Sequence, residues 1–355
     1  MAAQYIQHMD TKFKGVVTDY EIWNEPNTTA LCASASSREN IYLALYKTAV
    51  PLMRAQVKAD GSSARVGGPA TAGLQSAWVN AMLSDSVISQ NIDFLSYHIY
   101  PFSNVQLGAQ WDTYNGGISV LQSTQNSGAG PLDYYLYATR LVAAGKQPQG
   151  KNLPIYNTEY NIDWDYAKTC CQNDPTYSPV WNGLFVAGGL NAVYSGAPNV
   201  LQQMVYFAAT AHPYFCLIGQ INANMDCTYP TNPVPYPQYY LYQLFGSPSY
   251  LGLQNGGFMA QSIAPGYLGN GIVVTAFYTS NLDAVVLINP TGETLNIVPI
   301  VISNSGLTSP SATLYRIENG QSIDSSTLSL KSTGGTSYST TVSMEPYSVQ
   351  AVSIH

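Results

Sequence analysis

The sequence predicts an α/β protein of the (β/α)8 TIM-barrel type followed by an all-β sandwich. Three observations carry this. Short β-like runs alternate with helical patterns through about residue 250. Polar and acidic residues fall where those runs end: Asn24 and Glu25, Gly67 and Gly68, His98 and Tyr100, Glu159. A parallel barrel keeps its site at the carboxyl ends of its strands. Beyond about residue 256 the helical pattern stops, and short β runs separated by Gly, Asn, Ser and Pro take over. The expected domains are 1–250, a barrel domain, and 251–355, an antiparallel β-sandwich.

The elements follow in order. The opening MAAQYIQHMDTKFKG reads as the end of an amphipathic helix. Residues 16–23, VVTDYEIW, are strand-like. Residues 38–60 carry Tyr42, Leu45, Tyr46, Ala49 and Met53 at helical spacing, with Pro51 expected to bend the helix. ARVGGPA (64–70) reads as a strand running into a Gly-Gly-Pro break. Residues 74–84 are helical. DFLSYHIYP (93–101) is a strand, 131–144 a helix with proline in its first turn, and LPIYNTEYN (153–161) a strand. Residues 179–194 are helical, VLQQMVYFA (200–208) reads as a last buried strand, and PQYYLYQLFG (237–246) starts a closing helix. Crossovers of this length suit a parallel sheet, although only five such strands are countable. The sandwich runs are IVVTAFYT, DAVVLINPT, LNIVPIVI, SATLYRIE, TLSLK and SVQAVSI, with the Ser/Thr-rich stretch 332–341 read as a hairpin and strand.

Composition narrows the function. Hydrophobic residues are 46% of 355, enough for a sizeable core. Charged residues are 9%, against about 25% in ordinary soluble domains. The polar surface must come from Ser, Thr, Asn, Gln and the 28 tyrosines. Aromatic rings and uncharged hydrogen-bonding groups suit an extracellular protein that handles neutral sugars. A net charge of -7 disfavours nucleic acid and anionic membrane as partners. No run approaches the roughly 18 apolar residues of a membrane span. The first residues show neither a signal core nor a cleavage site.

The five cysteines match no zinc pattern. Cys216 and Cys227 bracket a short loop and suit a disulfide in a secreted protein. Cys170 and Cys171 can pair elsewhere, for instance with Cys32. An odd number leaves a thiol unpaired, and a fully reduced set is the alternative.

Glu25 and Glu159 form the chemical core of the reading. Each ends an expected barrel strand, and their strands are three positions apart, so the side chains can converge across the mouth. Two carboxyl groups about 5–5.5 Å apart are what a retaining glycosidase uses. One protonates the leaving oxygen while the other attacks the anomeric carbon. Asn24 is placed to hold a sugar 2-hydroxyl, and Pro26 to lock the turn that aims Glu25. Tyr100 is placed to donate to Glu159. His98 either binds a sugar hydroxyl or sits beside Glu25. Trp164 and Trp181 either form a stacking platform or pack ordinarily. No metal or organic cofactor is implied.

WNEPN (23–27), VGGPA (66–70), SYHIYP (96–101) and NTEYN (157–161) together resemble the clan A glycoside hydrolases, most closely family 39, which includes β-xylosidases and α-L-iduronidases. The resemblance implies that Glu25, at the end of barrel strand 4, is the acid/base. It makes Glu159, at the end of strand 7, the nucleophile, and puts His98 and Tyr100 on strand 6. The C-terminal sandwich fits as well. Strands 1 to 3 and their helices then have no counterpart, on the order of 100 residues of a barrel that typically has about 250. Either the sequence is a fragment of a longer protein, or the barrel is incomplete, strands 4 to 8, and closed by another chain or by rearrangement; the open edge on strand 4 suits pairing in a homodimer. The expected function is retaining hydrolysis of neutral plant-type β-glycosides, xylan or xylosides first and β-glucan second. A non-catalytic, carbohydrate-binding relative is the alternative. Thirteen Lys and Arg leave little to hold a substrate carboxylate, which argues against a uronic-acid specificity.

Overall fold

The computed structural model describes residues 1–73, 75–99, 153–160, 201–207, 217–221, 227–228, 234–253, 258–260, 272–289, 292–318 and 322–355. The chain divides into two compact units, the first built from Met1–Tyr100, Asp133–Tyr160 and Ala197–Tyr206, the second from the remainder. The expected helices at 131–144 and 179–194 lie outside the described residues.

The first unit is built on a parallel five-stranded sheet of consecutive strands, β1 (Asp19–Glu21), β2 (Arg65–Ala72), β3 (Phe94–Ile99), β4 (Ile155–Tyr160) and β5 (Leu201–Tyr206). Among the described residues it supplies five strands of a barrel-type sheet. Helix α1 (Ala2–Lys12) packs against α2 (Arg38–Ala59). α2 buries Tyr42, Tyr46, Ala49, Val50, Met53 and Val57, one apolar stripe at helical spacing, and runs on through Pro51. The short helices α3 (Ser76–Ser84) and α4 (Ser86–Asn91) follow β2. Asp85 caps α4, accepting from Val87 and Ile88 N–H at 2.9 and 3.2 Å.

Three expectations change here. The first strand is only three residues long, because a turn closed by Val16 N–H on Phe13 O delays its start and Trp23, with a left-handed φ of 72°, ends it. The Gly-Gly-Pro sequence does not break β2, which runs through it to Ala72. A Cβ on Gly67 would collide with the Phe94 ring, so Gly67 is there to let β3 approach. Strand β5 is not buried: Gln203, Val205 and Phe207 are exposed while Met204 and Tyr206 are partly covered, the alternation of a strand covered on one face.

The amino ends of the strands carry ion pairs. Arg65 Nε sits 2.8 Å from Asp19 Oδ1, and Arg54 Nη1 sits 2.9 Å from Asp93 Oδ2. Asp93 Oδ2 also accepts from the Val66 N–H. Phe94 and Tyr156 stack at 4.5 Å between ring centroids. These contacts fix the register of the sheet at the end away from its carboxyl ends.

The second unit begins with a small antiparallel sheet that the sequence did not suggest: β6 (Ile218–Ile221), β7 (Cys227–Thr228) and β8 (Val234–Pro235). Helix α5 (Pro237–Gly246) follows, with proline in its first turn. The sandwich has a six-stranded sheet of β9 (Phe258–Ala260), β10 (Val273–Tyr278), β11 (Asp283–Asn289), β13 (Ala312–Ile317), β14 (Asp324–Leu328) and β17 (Ser348–Ile354), in the order β14-β13-β17-β11-β10-β9. Facing it are β12 (Leu295–Ile302), β15 (Lys331–Gly334) and β16 (Ser337–Met344), in the order β12-β16-β15. Val285, Leu287, Val298, Ile300, Leu314, Val342 and Met344 fill the space between. α5 and the turn after it cover the other face of the large sheet, through Phe245 on Phe277 and Tyr250 on Tyr315. That second cover is why β11 and β17 are buried on both faces. TLSLK is not one strand: it spans the end of β14 and the start of β15, which lie in different sheets. The stretch 332–341 does form a hairpin and strand, β15 to β16.

Among the described residues no helix is long and apolar enough to cross a membrane. Cys32 is an exposed free thiol, so it is not in a disulfide with Cys170 or Cys171.

Candidate active site

The segment after β1 carries Trp23, Asn24, Glu25, Pro26 and Asn27. Glu25 takes a left-handed φ of 45°, as does Ala70 at 50° on the neighbouring strand. Such backbone costs a residue other than glycine on the order of 1–3 kcal/mol unless its surroundings hold it. Here they do. The Glu25 N–H donates to Ala70 O at 2.9 Å, and the Thr28 N–H and hydroxyl donate to Glu25 O at 2.9 and 2.8 Å. Asn27 donates from Nδ2 to Ala72 O at 3.0 Å and accepts at Oδ1 from Ala72 N–H at 2.9 Å. Arg38 donates to Asn27 O, and the buried Tyr42 hydroxyl to Ile22 O. The turn is thereby tied to β2 and α2.

β3 pairs His98 with Ala72 on one side and Glu159 on the other. The imidazole is 1% exposed, and its Nδ1 lies 2.9 Å from Glu25 Oε1 and 3.4 Å from Glu159 Oε2. The two carboxyl side chains are 26% and 21% exposed, open enough to meet a ligand. One oxygen of each carboxyl and a nitrogen of His98 all lie within 4.8 Å of one another. The same donor atoms have the spacing of metal ligands. Asn157, fully buried, turns its amide nitrogen toward Tyr97 O and Glu159 O and braces the end of β4.

Of the residues expected from sequence, the structure brings together Glu25, Glu159 and His98. Asn24 is exposed immediately before Glu25. Tyr100, Trp164 and Trp181 lie outside the described residues. One residue was missed. Glu21 lies a turn below the pair, accepting from the Thr158 hydroxyl at 3.1 Å. Burial pushes its carboxyl up, against hydrogen bonds from Ser96 and Thr158 and the pull of His98; the nearby charge of Glu159 pushes the same way as burial. Strand alternation was the signal: Tyr20 and Ile22 are buried, and Glu21 between them points the other way.

Paired carboxyl groups at the carboxyl ends of parallel barrel strands are the arrangement that barrel glycoside hydrolases use. The comparisons agree. The sequence model of glycosyl hydrolases family 39 matches residues 2–245, and the chain belongs to that family. The curated proteins gave no match. Solved structures share the fold at low identity. The monomeric β-xylosidase from Caulobacter crescentus has a TM-score of 0.58 at 16% identity, over 100% of this chain and 73% of that one. The family 39 enzyme from Xanthomonas axonopodis pv. citri has 0.57 at 15%, over 100% and 72%. The family 30 subfamily 8 xylanase from Clostridium acetobutylicum has 0.59 at 13%, over 99% and 70%.

Proposed function

We propose that this chain is a retaining glycosidase for neutral β-linked sugars, with xylan or xylosides as first substrate and β-glucan as second. The observation that carries the reading is the approach of Glu25 and Glu159 to within 4.8 Å around one imidazole nitrogen. Inverting enzymes need about 6.5–9.5 Å to admit a water between the carboxyls, and retaining ones about 5–5.5 Å.

In the first step Glu159 attacks the anomeric carbon. The glycosidic bond breaks, and the proton on Glu25 goes to the leaving oxygen. In the second step water attacks the same carbon, gives its proton to Glu25, and the ester to Glu159 breaks. Glu25 thus serves as acid in the first step and as base in the second, and the ester to Glu159 removes the neighbouring charge between the two. Either tautomer of His98 can serve the pair. With its proton on Nδ1 it donates to a carboxylate, and with it on Nε2 the free nitrogen accepts from a protonated Glu25. Asn24 supplies a contact to the sugar 2-hydroxyl.

A chain with 9% charged residues and many tyrosines suits a neutral polysaccharide as its partner and an extracellular setting. β1 is the last strand of its sheet among the described residues. An edge strand can pair with a second copy, and a homodimer formed there is part of this reading.

Glu25→Gln and Glu159→Gln, assayed on chromogenic β-xylosides and β-glucosides and on xylan, are each expected to nearly abolish turnover. Proton NMR of the first product formed should show the anomer of the substrate. Full activity in either variant, or release of the opposite anomer, overturns the reading. Binding without product in the unmodified chain favours the sugar-binding alternative.

A further inference from the structure

The hairpin of β10 and β11 carries an acid where its pattern calls for an apolar residue. Inward positions on β10 are Val274, Ala276 and Tyr278, and on β11 they are Leu287, Val285 and Asp283. Register pairs Val274 with Leu287, Ala276 with Val285 and Tyr278 with Asp283. The first two pairs feed the sandwich core. The third does not close it. Asp283 is 8% exposed, is flanked on its other side by the fully buried Ile354, and its Oδ2 is buried without a hydrogen-bond partner.

That side chain faces a cavity of about 250 Å³ at the end of the sandwich, lined also by Tyr278, Ile302, Ser303, Asn304 and Ser305. Tyr278 is 44% exposed at its edge. The opposite wall is held in place. Ser305 N–H donates to Thr336 O at 3.0 Å, Tyr338 hydroxyl donates to Leu307 O at 3.0 Å, and Asn304 takes a left-handed φ of 58°. Burial pushes the Asp283 carboxyl up, against a hydrogen bond from Ser305. A carboxyl oxygen accepts hydrogen bonds from hydroxyls.

We propose that this cavity is a second saccharide site, taking one neutral pyranose unit of a polysaccharide chain against Tyr278, with a sugar hydroxyl on the orphan oxygen of Asp283. An aromatic ring beside a few convergent polar groups is what neutral sugar recognition requires. The volume suits one ring rather than a longer segment. A divalent cation would want several oxygen donors, carboxylates prominent among them, whereas Asp283 is the single carboxylate on a lining whose other polar groups are neutral, Tyr278, Ser303, Asn304 and Ser305. The site rests on the glycosidase reading only for the choice of probe.

The test is calorimetric titration of the full chain carrying Glu159→Gln with xylopentaose and, separately, cellopentaose. Two sites are expected for at least one of them. Adding Tyr278→Ala or Asp283→Asn should remove one site or weaken it by about tenfold or more. Both substitutions in the otherwise unmodified chain should leave turnover of an aryl xyloside unchanged, and thermal melts of both should stay cooperative. A single site in the parent, or second-site binding that survives either substitution, overturns the proposal. If no version of the chain hydrolyses any substrate, the catalytic reading fails, and binding that depends on Tyr278 and Asp283 still stands or falls by itself.

Discussion

Replacing Gly67 with alanine puts one methyl group where the Phe94 ring already is. The new Cβ would collide with Cδ2, Cε2 and Cγ of that ring. The ring is not the free end of a flexible chain. It is fully buried and stacked on Tyr156 at 4.5 Å. Relief must come from moving Phe94, and with it β3. Overpacking of this kind costs about 1–3 kcal/mol. At about 2–4 °C per kcal/mol for a unit of this size, the melting temperature should fall by roughly 2–12 °C. Differential scanning fluorimetry measures it directly. A double-mutant cycle with Phe94→Leu isolates the cause, because the smaller side chain makes room. The pair should be less destabilised than the sum of the singles by at least about 0.5 kcal/mol. His98 shares a strand with Phe94, so turnover in Gly67→Ala should fall below that in Phe94→Leu. A melting temperature within about 1 °C of wild type, or strict additivity in the cycle, refutes the close-approach account.

Other outcomes follow from the same contacts. His98→Ala removes a hydrogen bond to a charged group, worth about 1.5–3 kcal/mol, so kcat/KM should drop by roughly 10- to 150-fold. A change in the pH-rate profile should accompany it, and a drop under about threefold with the profile intact counts against a role between the two carboxyls. Glu21 holds its proton more tightly folded than unfolded, because burial raises it. Its contribution to stability is therefore greatest below the ordinary glutamate range, about 4.3, and is lost as pH rises through the raised folded value. The melting temperature of Glu21→Gln relative to wild type should climb across that window, and parallel curves from pH 4 to 8 rule this out. Asp85→Ala removes the α4 cap and should cost about 1 kcal/mol in urea denaturation, with no effect on turnover.

The fold was largely readable because the barrel strands announce themselves by period and by what ends them. Four of the five parallel strands fall within two residues of the bounds read from sequence, and β1 is the exception because a turn closed by Val16 N–H on Phe13 O takes up its first residues. Glu25 and Glu159 stood out as acids at strand ends in a chain poor in charge. Glu21 did not, because DYEIW reads as one half-apolar run and its inward parity shows only once Tyr20 and Ile22 are seen to be covered. Gly67 was misread as a breaker because the ring that explains it is contributed by Phe94, far along the chain. The small sheet of β6, β7 and β8 has strands of two to four residues, too short for any period to register. Asp283 was lost inside DAVVLINPT, where a leading acid looks like the end of a turn.

Asn27 has a consequence for how a ligand must arrive. Its amide gives and takes one hydrogen bond with Ala72, as a directly opposite residue of an antiparallel ladder would. In effect a side chain stands in for backbone and lengthens the sheet by one rung. The amide proton of Ala72 should therefore exchange slowly with solvent, although it lies at the rim of the sheet. The loop that presents Glu25 is then a fixed template, and fitting is left to the incoming molecule.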